Sequence, residues 1–436
     1  MRIGVIGAGA AGLAAAYDFA GAGHGVTVYE AAPFVGGQAS TIEVGGGRLE
    51  LGYHHLFTND HAILDLMDEL GIGESMQWIP STVGIYTNQK VYRWSTPIDL
   101  LRFSALSLRD RIRMGMVAKK LQRMDDWRAL EDTTAAAWIR ENAGVSVYEK
   151  VWEPLLRGKF GDRFETVGMP WFWSKIHTRF ASRDRLGREK LGYPANSFDE
   201  VFETLTARIR SMGGAVHLET PVTRVLVENG TATGLRVKHP DGTETDEAFD
   251  LVLSTTPSFA FPELVDLPDA YLEKLGAVEY MGAVVMILEM TRPLTSVYWM
   301  NIADHEVPFL GLIEHTNLMP KEKYGGSYVL YLTNYVERQS EVFLMSTDEL
   351  LDVYAPHLSR FNLEFDRSWI TRVHHNKVSA AQPVMGVNYS RHLPEHQTPL
   401  ANLFLANTTQ IYPEDRGTNY SVRMGRELAA VMLRGG

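Results

Sequence analysis

The pattern of apolar and polar residues at the start of the chain predicts a strand, a helix and a second strand in that order. Apolar residues occupy 3–6, small residues fill 13–22, and β-branched residues return at 26–29. A short apolar run bounded by glycines is typical of a buried strand, and a run of small residues favours a closely packed helix. A signal peptide would share the apolar run behind Met1 and Arg2, but it would not continue into a second strand.

Similar patterns recur in the middle and at the end of the chain. Ser197 is the predicted N-cap of a helix that stops at Gly213–Gly214. Asp241–Gly242 is a predicted hairpin turn. The segment "NLFLANTTQIYPEDRGTNYSVRMGRELAAVML" predicts an apolar strand, a polar loop and a closing helix. Alternating strands across 263–390 predict a second sheet whose inward residues line a substrate cavity.

Three glycines separate the first strand from the first helix. Gly7, Gly9 and Gly12 form a G-x-G-x-x-G turn, and Glu30 ends the second strand. In a dinucleotide fold these glycines permit the tight turn, the approach of backbone N–H groups to a pyrophosphate, and close packing of helix on strand. The helix N-terminus binds the anion, and the acid accepts hydrogen bonds from a ribose diol. A plain glycine-rich turn is the alternative, but the ordered set favours a dinucleotide site.

Composition limits the classes of function. The 436 residues carry a net charge of −11, which argues against a general nucleic-acid binder. No apolar run approaches the roughly 18 residues of a membrane-spanning helix. The absence of cysteine excludes disulfides, thiolate catalysis and a cysteinyl flavin. No histidine pair with helical spacing joins a carboxylate cluster, so no metal site is predicted. Without a recognisable targeting segment, a cytoplasmic location is expected.

The residues after Glu30 resemble the flavin-containing amine oxidase superfamily, which includes protoporphyrinogen oxidases, phytoene desaturases, and monoamine and polyamine oxidases. In "AAPFVGGQAST", Gly36–Gly37 and Thr41 match a Gly-Gly-Arg-x-x-Thr segment, with Gln38 in place of arginine. In "LELGYHHLFTND", residues 52–54 resemble a Gly-x-His-like segment that passes near the flavin. The resemblance implies FAD, bound without a covalent link, rather than NAD.

The resemblance extends to the middle and the end of the chain, where it implies further contacts with FAD. Asn407 and Thr408 replace the usual Gly-Asp, and asparagine is expected there because it tolerates a positive φ angle. Residues 419–421 open the last helix, whose N-terminus is expected to face the pyrimidine end of the flavin. The expected cofactor-binding residues are Gly7, Gly9, Ala11, Gly12, Glu30, Gly36, Gly37, Gln38, Gly52, Tyr53, His54, Val222, Thr256, Asn407, Thr408, Asn419, Tyr420 and Ser421.

These patterns predict an α/β protein with a Rossmann-like, glutathione-reductase-type FAD-binding domain and a substrate domain made of a mixed sheet and helices. The FAD-binding domain is expected to be discontinuous, formed by 1–90, 195–262 and 391–436. The substrate domain is expected to combine a helical insert, 91–194, with the sheet of 263–390.

The expected substrate is a small molecule, largely apolar, held by the substrate domain. A set of basic residues lies among aromatic ones and suggests an anionic substrate group beside an apolar pocket: Arg157, Lys159, Lys175, His177 and Arg179. Pairing of these residues with Glu153, Asp162 and Glu165 around a helical core is the alternative. Tyr298, His315 and Tyr331 are candidates for the cavity floor, with ordinary packing as the alternative. The basic, apolar helix pattern across 96–124 suggests either packed helix or contact with a membrane surface, as in protoporphyrinogen oxidases. The oligomeric state stays open.

Flavin N5 accepts a hydride from a substrate bond held close to it, so an FAD-dependent oxidoreductase is the expected enzyme. His54 is the candidate catalytic residue, because a histidine beside the flavin donates a hydrogen bond or carries a proton. A redox-neutral enzyme is the alternative, since His54, Thr58 and Asn59 also resemble a segment of UDP-galactopyranose mutase. A flavin scaffold without turnover is the third interpretation.

Overall fold

The computed structural model describes residues 1–182 and 189–435. The strands in this part of the chain are β1 (Arg2–Ile6), β2 (Gly25–Tyr29), β3 (Thr41–Val44), β4 (Gly47–Glu50), β5 (Met76–Pro80), β6 (Val83–Thr87), β7 (Lys90–Arg93), β8 (Lys190–Pro194), β9 (Ala215–His217), β10 (Val222–Glu228), β11 (Thr231–Lys238), β12 (Glu244–Ala248), β13 (Leu251–Ser254), β14 (Tyr280–Met290), β15 (Trp299–Ile302), β16 (Gly311–Glu314), β17 (Tyr328–Val336), β18 (Ile370–Pro383) and β19 (Leu403–Leu405).

The α-helices of the same described residues are α1 (Ala10–Gly21), α2 (His61–Leu70), α3 (Pro97–Arg102), α4 (Leu108–Gln122), α5 (Ala135–Asn142), α6 (Val145–Val147), α7 (Glu153–Phe160), α8 (Met169–Ala181), α9 (Asp199–Ser211), α10 (Asp269–Gly276), α11 (Glu341–Leu344), α12 (Thr347–Tyr354) and α13 (Thr418–Gly435).

The first sheet is parallel throughout, in the order β19-β13-β1-β2-β9. Its carboxyl ends lie at one edge, and the residues that follow four of its strands are Gly7, Glu30, Thr255 and Ala406. Ligands of open parallel sheets bind outside this edge. The predicted β-α-β start and the Rossmann-like α/β fold class are therefore confirmed.

Two helix contacts beside this sheet have distances that only glycine allows. A Cβ atom at Gly12 would lie 2.1 Å from the carbonyl oxygen of Gly7, so α1 begins in direct contact with the turn. A Cβ atom at Gly425 would lie 2.2 Å from the carbonyl oxygen of Ala11, so α13 lies equally close to α1. Arg426 then binds Asp18 of α1 and Glu69 of α2. The last helix therefore fixes the first one in place.

The middle of the chain completes the nucleotide-binding half. The predicted hairpin forms between β11 and β12, with Gly242 at a φ of +86°. The helix predicted after Ser197 is α9, but its N-cap is Phe198, because Ser197 itself adopts a left-handed φ of +66°. The side chain of Ser197 still accepts a hydrogen bond from the N–H of Asp199, at 3.2 Å. The predicted stop is correct, since α9 ends at Ser211.

The second sheet is mixed, with the order β18-β14-β17-β16-β15-β6-β7. The expected alternation is wrong for β14, because this strand lies between two neighbours and every residue of it is buried. Strands β6 and β7 pair within this sheet through β15, although sequence analysis placed residues 83–90 with the FAD-binding segments. The division into domains stays a prediction, and these strands argue for an earlier boundary.

The helical insert packs into a core that it shares with residues of the second sheet, such as Tyr280 and Ala380. Buried aromatic residues from α5, α7 and α8 pack together, including Trp138, Phe160 and Trp173. The indole N–H of Trp173 donates to the carbonyl oxygens of Leu121 and Met124, which fixes the end of α4 against α8. The helices α7 and α8 thereby bring their polar side chains toward the loop that precedes α13.

Candidate functional site

Two glycine turns lie side by side at the carboxyl edge of the first sheet. Gly7 has a φ of +103°, and its N–H donates to the carbonyl oxygen of Tyr29 at 2.8 Å. Gly36 has a φ of +98°, and its N–H donates to the carbonyl oxygen of Ala8 at 2.9 Å. A β-bridge joins Gly9 to Gly36. The structure thus brings together two glycine turns that are separated in the sequence by α1 and β2.

Glu30 lies against the first of these turns. Its carboxylate accepts hydrogen bonds from the N–H groups of Ala8 at 2.8 Å and Ala32 at 2.9 Å. Its carbonyl oxygen accepts from the N–H of Thr220 at 2.8 Å, which brings the start of β10, Val222, to the same edge. Because a carboxylate has about four lone-pair positions, two remain for an incoming donor pair.

Asn407 does not adopt the positive φ angle expected from the sequence. Its φ is −144°, an ordinary extended conformation, so the expectation based on glycine replacement is wrong. The hydrogen bonds of its side chain explain why asparagine stands here. The side-chain oxygen accepts from the N–H of Thr409 at 3.1 Å, and the side-chain amide donates to the carbonyl oxygen of Thr256 at 2.9 Å. Asn407 therefore joins the ends of β13 and β19 and positions Thr256 and Thr408.

Gln38 connects the nucleotide-binding half to the second sheet. Its side-chain amide donates to the carbonyl oxygen of Ala380 in β18 at 2.9 Å. Sequence analysis expected Gln38 to bind the cofactor, as the residue in place of the family's arginine. In the structure, its side-chain amide binds a backbone carbonyl oxygen instead. The segment after Gly37 is thereby fixed to the sheet that borders the site.

The start of α13 uses its side chains for packing. The side-chain oxygen of Asn419 accepts from the N–H of Ile63 at 3.2 Å and caps α2. The Tyr420 hydroxyl lies 3.4 Å from that of Thr178 in α8, and the N–H of Ser421 donates to the carbonyl oxygen of Gly417. A cavity of about 340 Å³ lies beside this helix start, between α8 and α2. These contacts fix the direction in which the helix N-terminus points.

The segment 52–55 passes beside the second sheet, and its two histidines are held neutral. Burial lowers the pKa of His54 to about 4, and Nδ1 of this ring contacts the carbonyl oxygen of Gly52 at 2.6 Å. This nitrogen therefore carries the proton, which leaves Nε2 as an acceptor. Burial lowers the pKa of His55 to about 3, and its Nδ1 lies 3.3 Å from the hydroxyl of Tyr298. The expectation that His54 carries a proton rested on the near-neutral pKa of an ordinary histidine, and burial removes that basis. His55 was not among the residues predicted for the site.

The other predicted residues of the second sheet lie in a closed aromatic cluster. His315 Nε2 lies 2.6 Å from the Tyr324 hydroxyl, and the Tyr331 hydroxyl donates to the carbonyl oxygen of Glu50. Tyr298, His315 and Tyr331 are at most 2% exposed. They therefore pack beneath segment 52–55 instead of forming an open cavity floor, because their polar groups bind Tyr324, Glu50 and His55.

Glu50 is the buried acid of this cluster. Its carboxyl group accepts from the Tyr193 hydroxyl at 2.7 Å and from the N–H of Phe198 at 2.8 Å. Burial raises the pKa of Glu50 to about 7, although both hydrogen bonds oppose the increase. Glu50 lies just before segment 52–55 in the chain. Ionisation of its carboxyl group therefore affects the packing of the cluster beneath that segment.

A group of charges meets from three parts of the chain, and sequence analysis named its two lysines but not its other members. Lys159 of α7 and Lys175 of α8 each place Nζ 2.7 Å from a carboxylate oxygen of Asp415, in the loop before α13. Arg416 donates to the Tyr335 hydroxyl at 2.8 Å. These four charged residues, Lys159, Lys175, Asp415 and Arg416, are called the Asp415 cluster below. Its only sequence signal was the basic character of α7 and α8.

Arg157 lies apart from the Asp415 cluster. It pairs with Glu153 one turn earlier at 3.1 Å, and its guanidinium lies over the Phe164 ring. It also borders a cavity of about 230 Å³ together with Asp304 and His305. The packing alternative considered for this residue therefore describes its main contacts.

Within residues 1–182 and 189–435, no group of three His, Asp or Glu side chains has the arrangement of a metal site. In the same residues, no helix combines the length and apolar character needed to cross a membrane.

Comparisons with known proteins agree on one family. A sequence model described as "Flavin containing amine oxidoreductase" matches residues 10–432. A probable zeta-carotene desaturase of Synechococcus elongatus is 27% identical over 277 residues, which are 57% of each chain. The mitochondrial protoporphyrinogen oxidase of Nicotiana tabacum is 26% identical over 344 residues, 74% of this chain and 63% of the relative. The chain thus spans less than two thirds of the length of either relative.

Solved structures show the same fold. A putative protoporphyrinogen oxidase from Exiguobacterium has a TM-score of 0.76 and 18% identity, with 99% of each chain covered. A reduced UDP-galactopyranose mutase has a TM-score of 0.74 and 15% identity, with 100% of this chain and 96% of that chain covered. At these identities the likeness extends to the fold alone.

Glu50→Gln should change the pH dependence of stability. Below pH 4.5 the carboxyl group is protonated in both states; between pH 4.5 and about 7 the folded state binds more protons, so Glu50 lowers stability as pH rises. Glutamine does not ionise, and it can accept from the N–H of Phe198 through its oxygen and donate to the Tyr193 hydroxyl through its amide. The variant should therefore gain up to about 3 kcal/mol relative to the unchanged protein across this interval. Urea unfolding at several pH values measures the difference.

Glu43→Gln is the matched control, because Glu43 is exposed on β3, the strand that pairs with β4. Its stability should follow that of the unchanged protein at every pH. Parallel profiles for Glu50→Gln and the unchanged protein would contradict the assignment of a raised pKa to Glu50.

Proposed function

The chain belongs to the flavin-containing amine oxidoreductase family, and from this premise we propose that it binds FAD without a covalent link and oxidises a largely apolar small molecule. Membership of this family supports a flavin-dependent oxidoreductase. The observation that supports FAD is the pair of adjacent glycine turns with Glu30 beside them. A Cβ atom at Gly9 would meet only Gly37, at 3.9 Å, and one at Gly52 would meet nothing within 4 Å, so the backbone is open at both positions.

Each part of the nucleotide would have a partner in this chain. The N-terminus of α1 and the turns at Gly9 and Gly36 offer N–H groups to a pyrophosphate. Glu30 would accept from both hydroxyls of the adenosine ribose, and the backbone near Val222 would lie along the adenine. Thr256 and Thr408 lie at the strand ends that Asn407 joins, where a ribityl chain would pass. Gln38 supports the site by holding the second glycine turn to β18.

The flavin supplies hydride acceptance at N5, and the protein supplies orientation, exclusion of water and control of charge. The N-terminus of α13 favours negative charge at the pyrimidine edge of the flavin. His54 is the proposed catalytic residue, as a neutral ring whose Nε2 accepts a hydrogen bond or a proton. It would position the reacting group instead of acting as a cation, because burial keeps its pKa low.

The proposed substrate is apolar around the reacting bond. Tyr53 packs edge-on against Trp299 with ring centroids 4.6 Å apart, so the segment near the flavin presents aromatic surface. The names of the two relatives indicate oxidation of protoporphyrinogen and desaturation of zeta-carotene, and both substrates are largely apolar. We propose the same reaction type, oxidation of a carbon skeleton, for this chain.

The sugar mutase is a weaker second candidate. It is favoured by the structural likeness to UDP-galactopyranose mutase, and residues 54–59 carried the sequence resemblance. However, the Thr58 hydroxyl donates to the carbonyl oxygen of Ser182 at 3.1 Å. The side-chain amide nitrogen of Asn59 lies 3.5 Å from the carbonyl oxygen of Thr178. Both side chains therefore attach the segment to α8 and the residue that follows it.

Glu30→Ala should weaken FAD binding at least tenfold. The substitution removes the acceptor of the ribose hydroxyls and leaves the N–H groups of Ala8 and Ala32 without it. Hydrogen bonds to a charged group contribute about 1.5–3 kcal/mol each. The protein should purify yellow and release its flavin on acid precipitation, and fluorescence titration of the apoprotein with FAD gives the dissociation constant. Glu43→Ala should bind FAD normally; an unchanged constant for Glu30→Ala would refute the role of Glu30.

Anaerobic addition of protoporphyrinogen or zeta-carotene to the FAD-loaded protein should bleach the visible flavin absorbance. His54→Ala should slow this bleaching at least tenfold while FAD content stays full, because the ring positions the reacting group. His239→Ala, in the exposed hairpin, should bleach at the normal rate. Equal loss of FAD and turnover in His54→Ala would indicate a structural role. Turnover of UDP-galactopyranose that requires prior flavin reduction would favour the mutase.

We also propose that α3 and α4 contact an anionic membrane surface. Leu108, Ile112 and Met116 follow one another at four-residue spacing on α4, and each is at least 49% exposed. Ile98 and Leu101 of α3 extend the exposed apolar surface, and α4 carries exposed Arg109, Lys119 and Lys120. Such a basic, apolar face is typical of an interfacial helix. The cytoplasmic location expected from the sequence stays a prediction.

Sedimentation with vesicles tests this contact. The protein should bind vesicles of phosphatidylcholine and phosphatidylglycerol, and Ile112→Glu with Met116→Glu should reduce the bound fraction at least fivefold, because both changes place a carboxylate against lipid. Leu363→Glu is the matched control, since Leu363 is 96% exposed in a distant loop. Equal binding of the double variant and the control would refute the proposed surface.

A further inference from the structure

We propose that the Asp415 cluster binds a carboxylate group of the substrate. This inference rests on the proposed function, since it places the carboxylate beside the flavin, and it adds a charged anchor to an otherwise apolar molecule. The cluster lies where α7, α8 and the loop before α13 meet, so three separate parts of the fold contribute to it.

The first support is an excess of positive charge. Three cations, Lys159, Lys175 and Arg416, surround the single carboxylate of Asp415. Burial opposes the ionisation of Asp415, but the cations hold its pKa well below the usual range, so it stays charged. One carboxylate cannot neutralise three cations, and partly buried charges require partners. An added anion would balance the cluster.

The second support is an unused hydrogen-bond donor. Arg416 has five N–H donors. It gives one hydrogen bond to the Tyr335 hydroxyl, but its Nε is buried and has no partner among the described residues. Arg416 and Lys159 also lower the pKa of Tyr335 to about 8, although burial alone would raise it, so the field at this ring is positive.

The third support is access. The Lys175 side chain is 46% exposed, whereas those of Lys159 and Asp415 are 14% and 12% exposed. The cluster therefore opens on the side of Lys175. Trp171 borders it, with its indole N–H donating to Asp415 at 3.0 Å and its ring 5.1 Å from Nζ of Lys159. Aromatic surface beside cations suits a carboxylate attached to an apolar body.

The cluster also lies next to the segment that approaches the flavin. The Tyr335 hydroxyl accepts from Arg416 at 2.8 Å and is also hydrogen-bonded to that of Tyr53 in segment 52–55. Arg416 and Tyr335 both act electrostatically on Tyr53. A substrate anchored at Lys175 and Arg416 would therefore place its apolar part along Tyr53, toward His54.

The test is calorimetric titration of the FAD-loaded protein with sodium benzoate, and with benzamide as the uncharged analogue. Benzoate should bind at least tenfold more tightly than benzamide, and its affinity should fall as sodium chloride rises, because charges carry the preference. Lys175→Gln should weaken benzoate binding at least tenfold and leave benzamide unchanged. Lys175→Arg should restore most of the benzoate affinity.

Lys238→Gln is the control, because Lys238 is an exposed residue of β11 outside the cluster, and it should bind benzoate normally. Thermal melting of each variant verifies folding. Benzoate affinity equal to that of benzamide would refute the proposal. Tighter binding of inorganic phosphate than of benzoate would refute the carboxylate assignment. A changed flavin reduction potential in Lys175→Gln, with benzoate affinity unaltered, would show that the cluster serves the flavin and would also refute it.

The same samples separate this inference from the proposed function. Bound FAD that bleaches with substrate, without preferential benzoate binding, would refute the anchor alone. Protein without FAD that still binds benzoate through Lys175 would refute the flavin function and support the anchor.

Discussion

The close contact between Gly12 and the carbonyl oxygen of Gly7 determines how the rest of this protein can be arranged. Because no Cβ atom intervenes, α1 begins directly at the end of β1 and directs its free N–H groups toward the edge of the sheet. Glu30 and Gly36 then bind the same turn through Ala8. The second close contact, at Gly425, places α13 on α1, so the N-terminus of α13 is fixed relative to the glycine turn at Gly7.

The two sides of the site differ in their electrostatics. Beneath segment 52–55, burial raises the pKa of Glu50 and lowers those of His54 and His55, so this side holds few charges. On the other side, the Asp415 cluster retains several charges because cations and carboxylate stabilise one another. An oxidation that creates or removes charge at a flavin would thus occur between the neutral residues beneath segment 52–55 and the positively charged Asp415 cluster.

The sequence predicted the parts whose cause is local. The turn at Gly7, the acid at Glu30 and the helix after Gly417 depend on nearby residues, and their pattern was visible in the sequence. Asn407 was predicted for the wrong reason, since its side chain binds Thr256, about 150 residues away in the chain. Lys159 and Asp415 are 256 positions apart, and no local pattern relates them. Such contacts arise only when separate helices pack together.

The order of the strands has a consequence for how the protein is made. The first sheet joins β1, near the start of the chain, to β19, whose last residue is Leu405, and α13 then covers α1. At about 5–20 residues per second, a ribosome would need roughly 20–80 s to pass from one to the other. Until β19 and α13 have been made, β13 lacks one of its paired strands and α1 lacks the helix that packs on it. The carboxyl edge of the first sheet is therefore complete only after the last strand and the last helix have been synthesised.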